Sequence, residues 1–166
     1  MFLVFDASVL ILFHRNGQLR FLNSLLNRLE SQALLLSTVE TELLSVPLEE
    51  LLKELDVHRY IFNPSESFLP HLGRGERAVI QYTYEKESGE QKDVIPVVDD
   101  LAARKAANKL GLSVVGSVGL CSRAFELCLV PDKDSLKQMW DNWRQNGFHL
   151  PKQDYLDSLV SELRKK

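Results

Sequence analysis

The chain has 166 residues, 45% of them hydrophobic and 26% charged, which suits one packed core, is short for two full domains and excludes a disordered chain. Its 20 Lys and Arg against 23 Asp and Glu leave a net charge of −3, which excludes the globally basic footprint of an ordinary DNA-binding module. No apolar run approaches the roughly 20 residues of a membrane span, and the opening residues meet Asp6 with no basic stretch before it, unlike a signal peptide.

Taken in chain order, Met1 to Phe5 reads as a buried strand, with Asp6 or Ser8 opening a helix. Gln18 to Leu29 repeats leucine at helical spacing, and Ala33 to Leu36 is a second apolar strand. Ser37 or Thr38 caps an expected helix that carries Val39, Leu43 and Val46 and stops near Pro47. A short helix over Leu48 to Leu55 and a strand over Val57 to Phe62 follow. Gly73 and Gly75 punctuate the start of a helix from Glu76 to about Glu87, and Val94 to Val98 is another buried strand. Asp99-Asp100 opens a helix over Leu101 to Leu110 that Gly111 ends. Val114-Val115 reads as a last short strand. Two amphipathic helices, Ser135 to Gln145 and Lys152 to Leu163, complete the chain. Apolar strands alternating with helices predict an α/β fold with a mainly parallel sheet covered on both faces.

The charge is uneven along the chain. Residues 1–100 hold 9 basic and 16 acidic side chains, and residues 101–166 hold 11 basic and 7 acidic. Cys121 and Cys128 stand seven apart, as on one face of a helix, with no spacing suited to zinc or a disulfide framework. Both read as core or partly buried thiols of a reduced, cytoplasmic protein.

Chemistry in a parallel sheet gathers beyond the carboxyl ends of its strands. Asp6 follows the first strand, and Asp99 and Asp100 follow Val94 to Val98. At 100° per residue, Glu76 falls within the stripe of Val79, Ile80 and Thr83, so it points inward. Glu42 falls at the edge of the stripe of Val39, Leu43 and Val46. Carboxylates gathered in this way raise one another's pKa, and a hard divalent cation relieves the conflict. The plainer reading makes each acid a helix cap. Ser8 is expected as a cap rather than a nucleophile, since no His stands in a recognisable relation to it. The glycines at 111, 116 and 119 fit no nucleotide-binding loop and read as turns.

The ordered set Phe2-Leu3-Val4-Phe5-Asp6-Ala7-Ser8, Val39-Glu40-Thr41-Glu42-Leu43, Leu72-Gly73-Arg74-Gly75-Glu76-Arg77-Ala78 and Val97-Val98-Asp99-Asp100-Leu101-Ala102-Ala103-Arg104 resembles the PIN domains, in particular a toxin-like prokaryotic branch. The resemblance implies a three-layer α/β/α sandwich, with one PIN-like domain over residues 1–150 and residues 151–166 forming an amphipathic helix on it or on a partner. It implies a Mg²⁺- or Mn²⁺-dependent ribonuclease that hydrolyses single-stranded RNA to 5′-phosphate products, often the toxin of a toxin–antitoxin pair. Asp6, Glu42, Glu76 and one of Asp99 and Asp100 would hold the metal. Many PIN proteins have Thr-x-Asp where this chain has Val97-Val98-Asp99-Asp100, which leaves the two aspartates as alternatives. Arg104, Lys105, Arg74 and Arg77 are candidate phosphate contacts, and solvated helix faces are their plainer reading. A homodimer and a small antitoxin protein are the expected partners. The stripes Leu136, Met139, Trp140, Trp143 and Tyr155, Leu156, Leu159, Val160, Leu163 read first as core and second as a partner surface. Two other readings compete: an inactive PIN-like module that binds RNA or protein, and a phosphatase-like enzyme using Asp6 and Asp99. The phosphatase pattern wants an acid where Ser8 stands.

Overall fold

The computed structural model describes residues 1–89 and 93–164. The chain forms two compact units, Met1–Gly116 and Ser117–Lys166. In the first, four short strands, β1 (Phe2–Phe5), β2 (Gln32–Leu36), β3 (Val57–Tyr60) and β4 (Val94–Val97), pair in parallel in the order β3-β2-β1-β4. Parallel strands need crossovers. These are supplied by α1 (Ala7–Arg15) and α2 (Leu19–Arg28), then α3 (Ser37–Glu40) and α4 (Leu48–Glu54), then α5 (Arg74–Glu87), with α6 (Leu101–Lys109) after β4.

This order fixes where a site can be. From β1 to β3 the chain steps across the sheet in one direction; from β3 it returns past β1 to β4. With right-handed crossovers the reversal puts α5 and α6 on the face opposite α1, α2 and α4. The three-layer α/β/α class expected from the sequence follows. The chain changes direction between β1 and β4, which pair from Phe2↔Val94 to Phe5↔Val97. The crevice beyond their carboxyl ends is therefore the topological switch point, and Asp6, Asp99 and Asp100 all stand at it.

The central strands match the expected apolar reading, with Leu3, Val4, Phe5, Leu34, Leu35, Leu36 and Val97 buried. β3 does not. It is a polar edge strand whose His58, Arg59 and Tyr60 are all exposed, so the sheet is not apolar in every strand. The helix expected through Val46 is a single turn. After Glu40 the backbone makes i to i+3 bonds (Glu42 N–H to Val39 O, Leu43 N–H to Glu40 O), and the Thr41 hydroxyl donates to Thr38 O. Such local bonding by Thr competes with helix extension. Val115 forms only an isolated bridge to Val97 rather than a strand. α6 ends as expected: Gly111 has φ +78°, with Leu112 N–H bonded to Ala107 O and Gly111 N–H to Asn108 O, a Schellman motif.

The second unit contains α7 (Ser117–Glu126), α8 (Lys133–Gln145) and α9 (Gln153–Glu162). α8 begins two residues before the expected Ser135, and Asp132 caps it, accepting from Ser135 N–H at 2.7 Å. Leu136, Trp140, Trp143, Leu156, Val160 and Leu163 are buried, so both stripes are mainly core; Tyr155 is exposed. Cys121 is buried in α7, but Cys128 lies past its end at φ +60° and is exposed. The two thiols thus do not share a helix face, because α7 stops before the second. Among the described residues no helix is long and apolar enough to cross a membrane.

Candidate active site

Asp6 is the most constrained of the acids. It leaves β1 in extended conformation and caps α1, its Oδ2 accepting from Ser8 N–H at 3.2 Å and from the Ser8 hydroxyl at 2.6 Å. Asp6, rather than Ser8, is therefore the cap. Only 4% of Asp6 is exposed, and its Oδ1 is buried without a hydrogen-bond partner. Burial pushes its pKa above the usual carboxylate range, against the Ser8 bonds, and the nearby charge of Asp100 adds to the rise.

The other acids repeat one arrangement. Glu76 lies in the first turn of α5 and reaches back so that its Oε2 accepts from Gly73 N–H at 3.0 Å, one half of a capping box. Glu42, in the turns after α3, accepts from Gly75 N–H at 2.8 Å through Oε1. Asp100 caps α6, its Oδ1 accepting from Ala103 N–H at 2.8 Å. Each of these four carboxylates thus uses one oxygen at the N-terminus of a helix and keeps the other. The cap reading and the site reading are both satisfied, by different oxygens. Three helix N-termini also direct their positive ends toward the same acids.

The acids share one local field. Partial burial raises the pKa of Glu76, and Asp6, Asp100 and Glu42 raise it further. Glu42 is exposed as a residue, yet its carboxylate is partly desolvated, and that burial together with Asp6 pushes its pKa up while Arg74 opposes the rise. Among the described residues none of the four forms a salt bridge. No group of three or more His, Cys, Asp or Glu among those residues is arranged to hold a metal ion, so the carboxylates do not form a closed cage. What fits a cation is the donor set: all oxygen, one atom buried and partnerless, and three neighbours that repel one another electrostatically.

Asp99 is placed differently. Its Oδ1 lies 2.6 Å from the point a Cβ on Gly116 would occupy, and Arg104 Nη1 lies 3.7 Å from the same point. Arg104 thus lies beside Gly116, whereas Lys105 lines a hollow with Leu69 and His71. Arg74 is exposed near Glu42 and reaches Asn63 Oδ1 at 3.4 Å. Arg77 donates to Glu66 O at 3.1 Å and so anchors the preceding loop.

Two glycines were legible only as punctuation. Gly75 sits inside the first turn of α5, where glycine is a poor helix former. A Cβ there would overlap the Glu42 carboxylate, so its absence lets the backbone N–H meet Glu42. A Cβ on Gly116 would likewise overlap Asp99 Oδ1 and would stand 3.2 Å from Val98 O. An unfavourable glycine in a helix is the signal that could have found the first. Gly116→Ala is expected to destabilise the fold by about 1–3 kcal/mol, because backbone as well as a side chain must move. Chemical denaturation of the variant beside the native chain measures this.

A family model described as DUF3368, PIN domain, matches residues 2–162. The chain belongs to the PIN-domain family. Its structure is similar to that of a PilT N-terminus domain protein from the hyperthermophilic archaeon Sulfolobus solfataricus P2, with a TM-score of 0.51 and 12% identity over 91% of this chain and 100% of that one. At that identity the likeness is one of fold. No curated protein matches the sequence. PIN domains are typically nucleases, and the acids described above stand where a doubly wound sheet places its chemistry.

Proposed function

We propose that this PIN domain is a divalent-metal-dependent endoribonuclease acting on single-stranded RNA. The observation that carries the reading is the buried, partnerless Oδ1 of Asp6 in the field of three further carboxylates. Four acids so placed favour either shared protons or a cation, and near neutral pH the cation is the better answer to an all-oxygen donor set. Asp6, Glu42, Glu76 and Asp100 would hold Mg²⁺ or Mn²⁺. The electrostatic coupling of Asp100 to Asp6 and Glu76 favours it over Asp99, whose carboxylate faces Gly116. When bound, the ion supplies charge stabilisation on the phosphodiester.

The chain's own residues have separate tasks. Backbone amides of Ser8, Gly73, Gly75 and Ala103 each fix one oxygen of an acid, which leaves the other oxygens for a cation. Glu76, whose partial burial raises its pKa, would accept or return a proton of an attacking water. Arg74, whose charge acts on Glu42, and Arg104, beside Gly116, would contact phosphates of the substrate. On the family resemblance alone, we also read the chain as a homodimer restrained by a small antitoxin protein. A second reading, an inactive PIN module that binds RNA, is favoured by the lack of a closed carboxylate cage among the described residues.

Purified protein incubated with fluorescent single-stranded RNA and Mn²⁺ separates the two. Cleavage is expected, lost in EDTA and reduced roughly 100-fold or more by Glu76→Gln. RNA binding without metal-dependent cleavage would establish the inactive module. Equal cleavage by native and Glu76→Gln protein would trace the activity to a contaminant.

A further inference from the structure

A cavity of about 610 Å³ lies apart from the acids, on the α5 face of the sheet. That is within the roughly 300–1,000 Å³ of small-ligand sites. The strand register explains it. Phe2, Leu34, His58 and Tyr60 fall on one face, and the polar edge strand β3 leaves part of that face open beside α5. The walls are aromatic. Tyr60 packs on Tyr82 with centroids 5.2 Å apart, and His58 meets Phe2 edge-on at 5.6 Å. Tyr82 is buried, but Tyr60 is 45% exposed, so a ring held rigidly from behind offers free surface in front.

The charges in the cavity are arranged to meet a ligand. Lys86 Nζ stands over the Tyr60 and Tyr82 rings, 5.8 and 5.5 Å from their centroids, with no carboxylate within salt-bridge distance among the described residues. Arg59, by contrast, is already engaged by Glu40. Asp93 also lines the cavity and supplies an acceptor. A planar ring for Tyr60, an anion for Lys86 and an N–H donor for Asp93 together describe a base bearing a phosphate.

We propose that this cavity binds a nucleotide unit, its base against Tyr60 and its phosphate at Lys86. Choosing a nucleotide over other aromatic anions rests on the nuclease reading. The placement supports that choice: Tyr60 pairs with Leu36 at the carboxyl end of β3, level with Asp6 and two strands away, about 10 Å. A strand of RNA crossing the acids can reach Tyr60 with a neighbouring base. The nucleotide can come from such a strand or from a free mononucleotide.

Binding measured in EDTA, where no cleavage occurs, tests this with four probes: a short single-stranded oligouridylate, UMP, AMP and inorganic phosphate. Tyr60→Ala and Lys86→Gln are each expected to weaken nucleotide binding about tenfold, while Tyr60→Phe retains it. Loss for the oligouridylate alone identifies an RNA strand as the source; the same loss for UMP or AMP identifies a free nucleotide. Unchanged affinity of Tyr60→Ala and Lys86→Gln for every probe overturns the proposal, as does phosphate binding as tightly as the nucleotides or no nucleotide binding by the native protein. A chain that cleaves RNA with Mn²⁺ while Tyr60→Ala and Lys86→Gln bind every probe as the native protein does keeps the nuclease reading and loses the pocket. A chain that never cleaves but binds through Tyr60 keeps the pocket and loses the nuclease reading.

Discussion

Asp6→Asn is expected to abolish RNA cleavage, by more than about 100-fold, and at the same time to raise the melting temperature of the metal-free protein. The loss exceeds the roughly 10–100-fold typical of groups that only support a metal ligand, because Asp6 presents the buried oxygen itself. The gain follows from burial. Asp6 is almost wholly enclosed and its pKa is raised, so the folded chain without metal carries a charge it holds poorly. Asn keeps an oxygen for the two Ser8 bonds and removes that charge, worth a few degrees for a chain of this size. The sign with pH follows directly. A carboxylate whose folded pKa exceeds its unfolded one binds more protons when folded, so it lowers stability as pH rises from the ordinary carboxylate range through the raised value. Glu42 and Glu76 are shifted the same way. Native protein in EDTA should therefore melt lower at about pH 8 than at about pH 5, with a shallower fall in Asp6→Asn. Added Mn²⁺ should restore native protein most at the higher pH, where the ligands are ionised. Thermal melts across pH, with and without metal, read all of these effects.

Gly75→Ala is expected to reduce cleavage roughly 10–100-fold while leaving the fold in place. Alanine is a better helix former than glycine by about 1 kcal/mol, and this position lies in the first turn of α5. The new methyl, however, would occupy the space of the Glu42 carboxylate. Glu42 is a side chain in an exposed turn, so it is the part that moves, and it loses its bond to Gly75 N–H. Activity should fall with no loss of melting temperature, a combination that a simple folding defect does not give. Kinetics and a thermal melt on one preparation decide it.

The sheet was legible because its central strands are short, apolar and bounded by acids or caps, and the topological rule then pointed to Asp6 and the Asp99-Asp100 pair. Glu76 was legible because the stripe of Val79, Ile80 and Thr83 places it inward. Helical geometry misjudged the surroundings of Glu42: the chain after Glu40 turns rather than continuing as a helix, so the angle on a helical wheel had no bearing there. Glu42 reaches its place through Gly75 instead, a contact 33 residues away in sequence. The edge position of β3 also escaped the reading, since strand order is set by crossovers that no local pattern records. Its exposed His58, Arg59 and Tyr60 are consistent with an edge once the order is known. The paired basic residues Arg104 and Lys105 looked equivalent, yet adjacent positions on a helix are about 100° apart. One therefore lies beside Gly116 and the other lines a hollow with Leu69 and His71.

The proposed activity depends on a divalent ion completing the carboxylate group around Asp6. Crystals soaked in Mn²⁺ and measured for anomalous scattering test it most directly. A single strong peak, or a close pair, is expected within coordination distance of Asp6 Oδ1 and at least two of Glu42, Glu76 and Asp100, absent in Asp6→Asn crystals. Mn²⁺ bound elsewhere, or no peak among these acids at saturating metal, would contradict it.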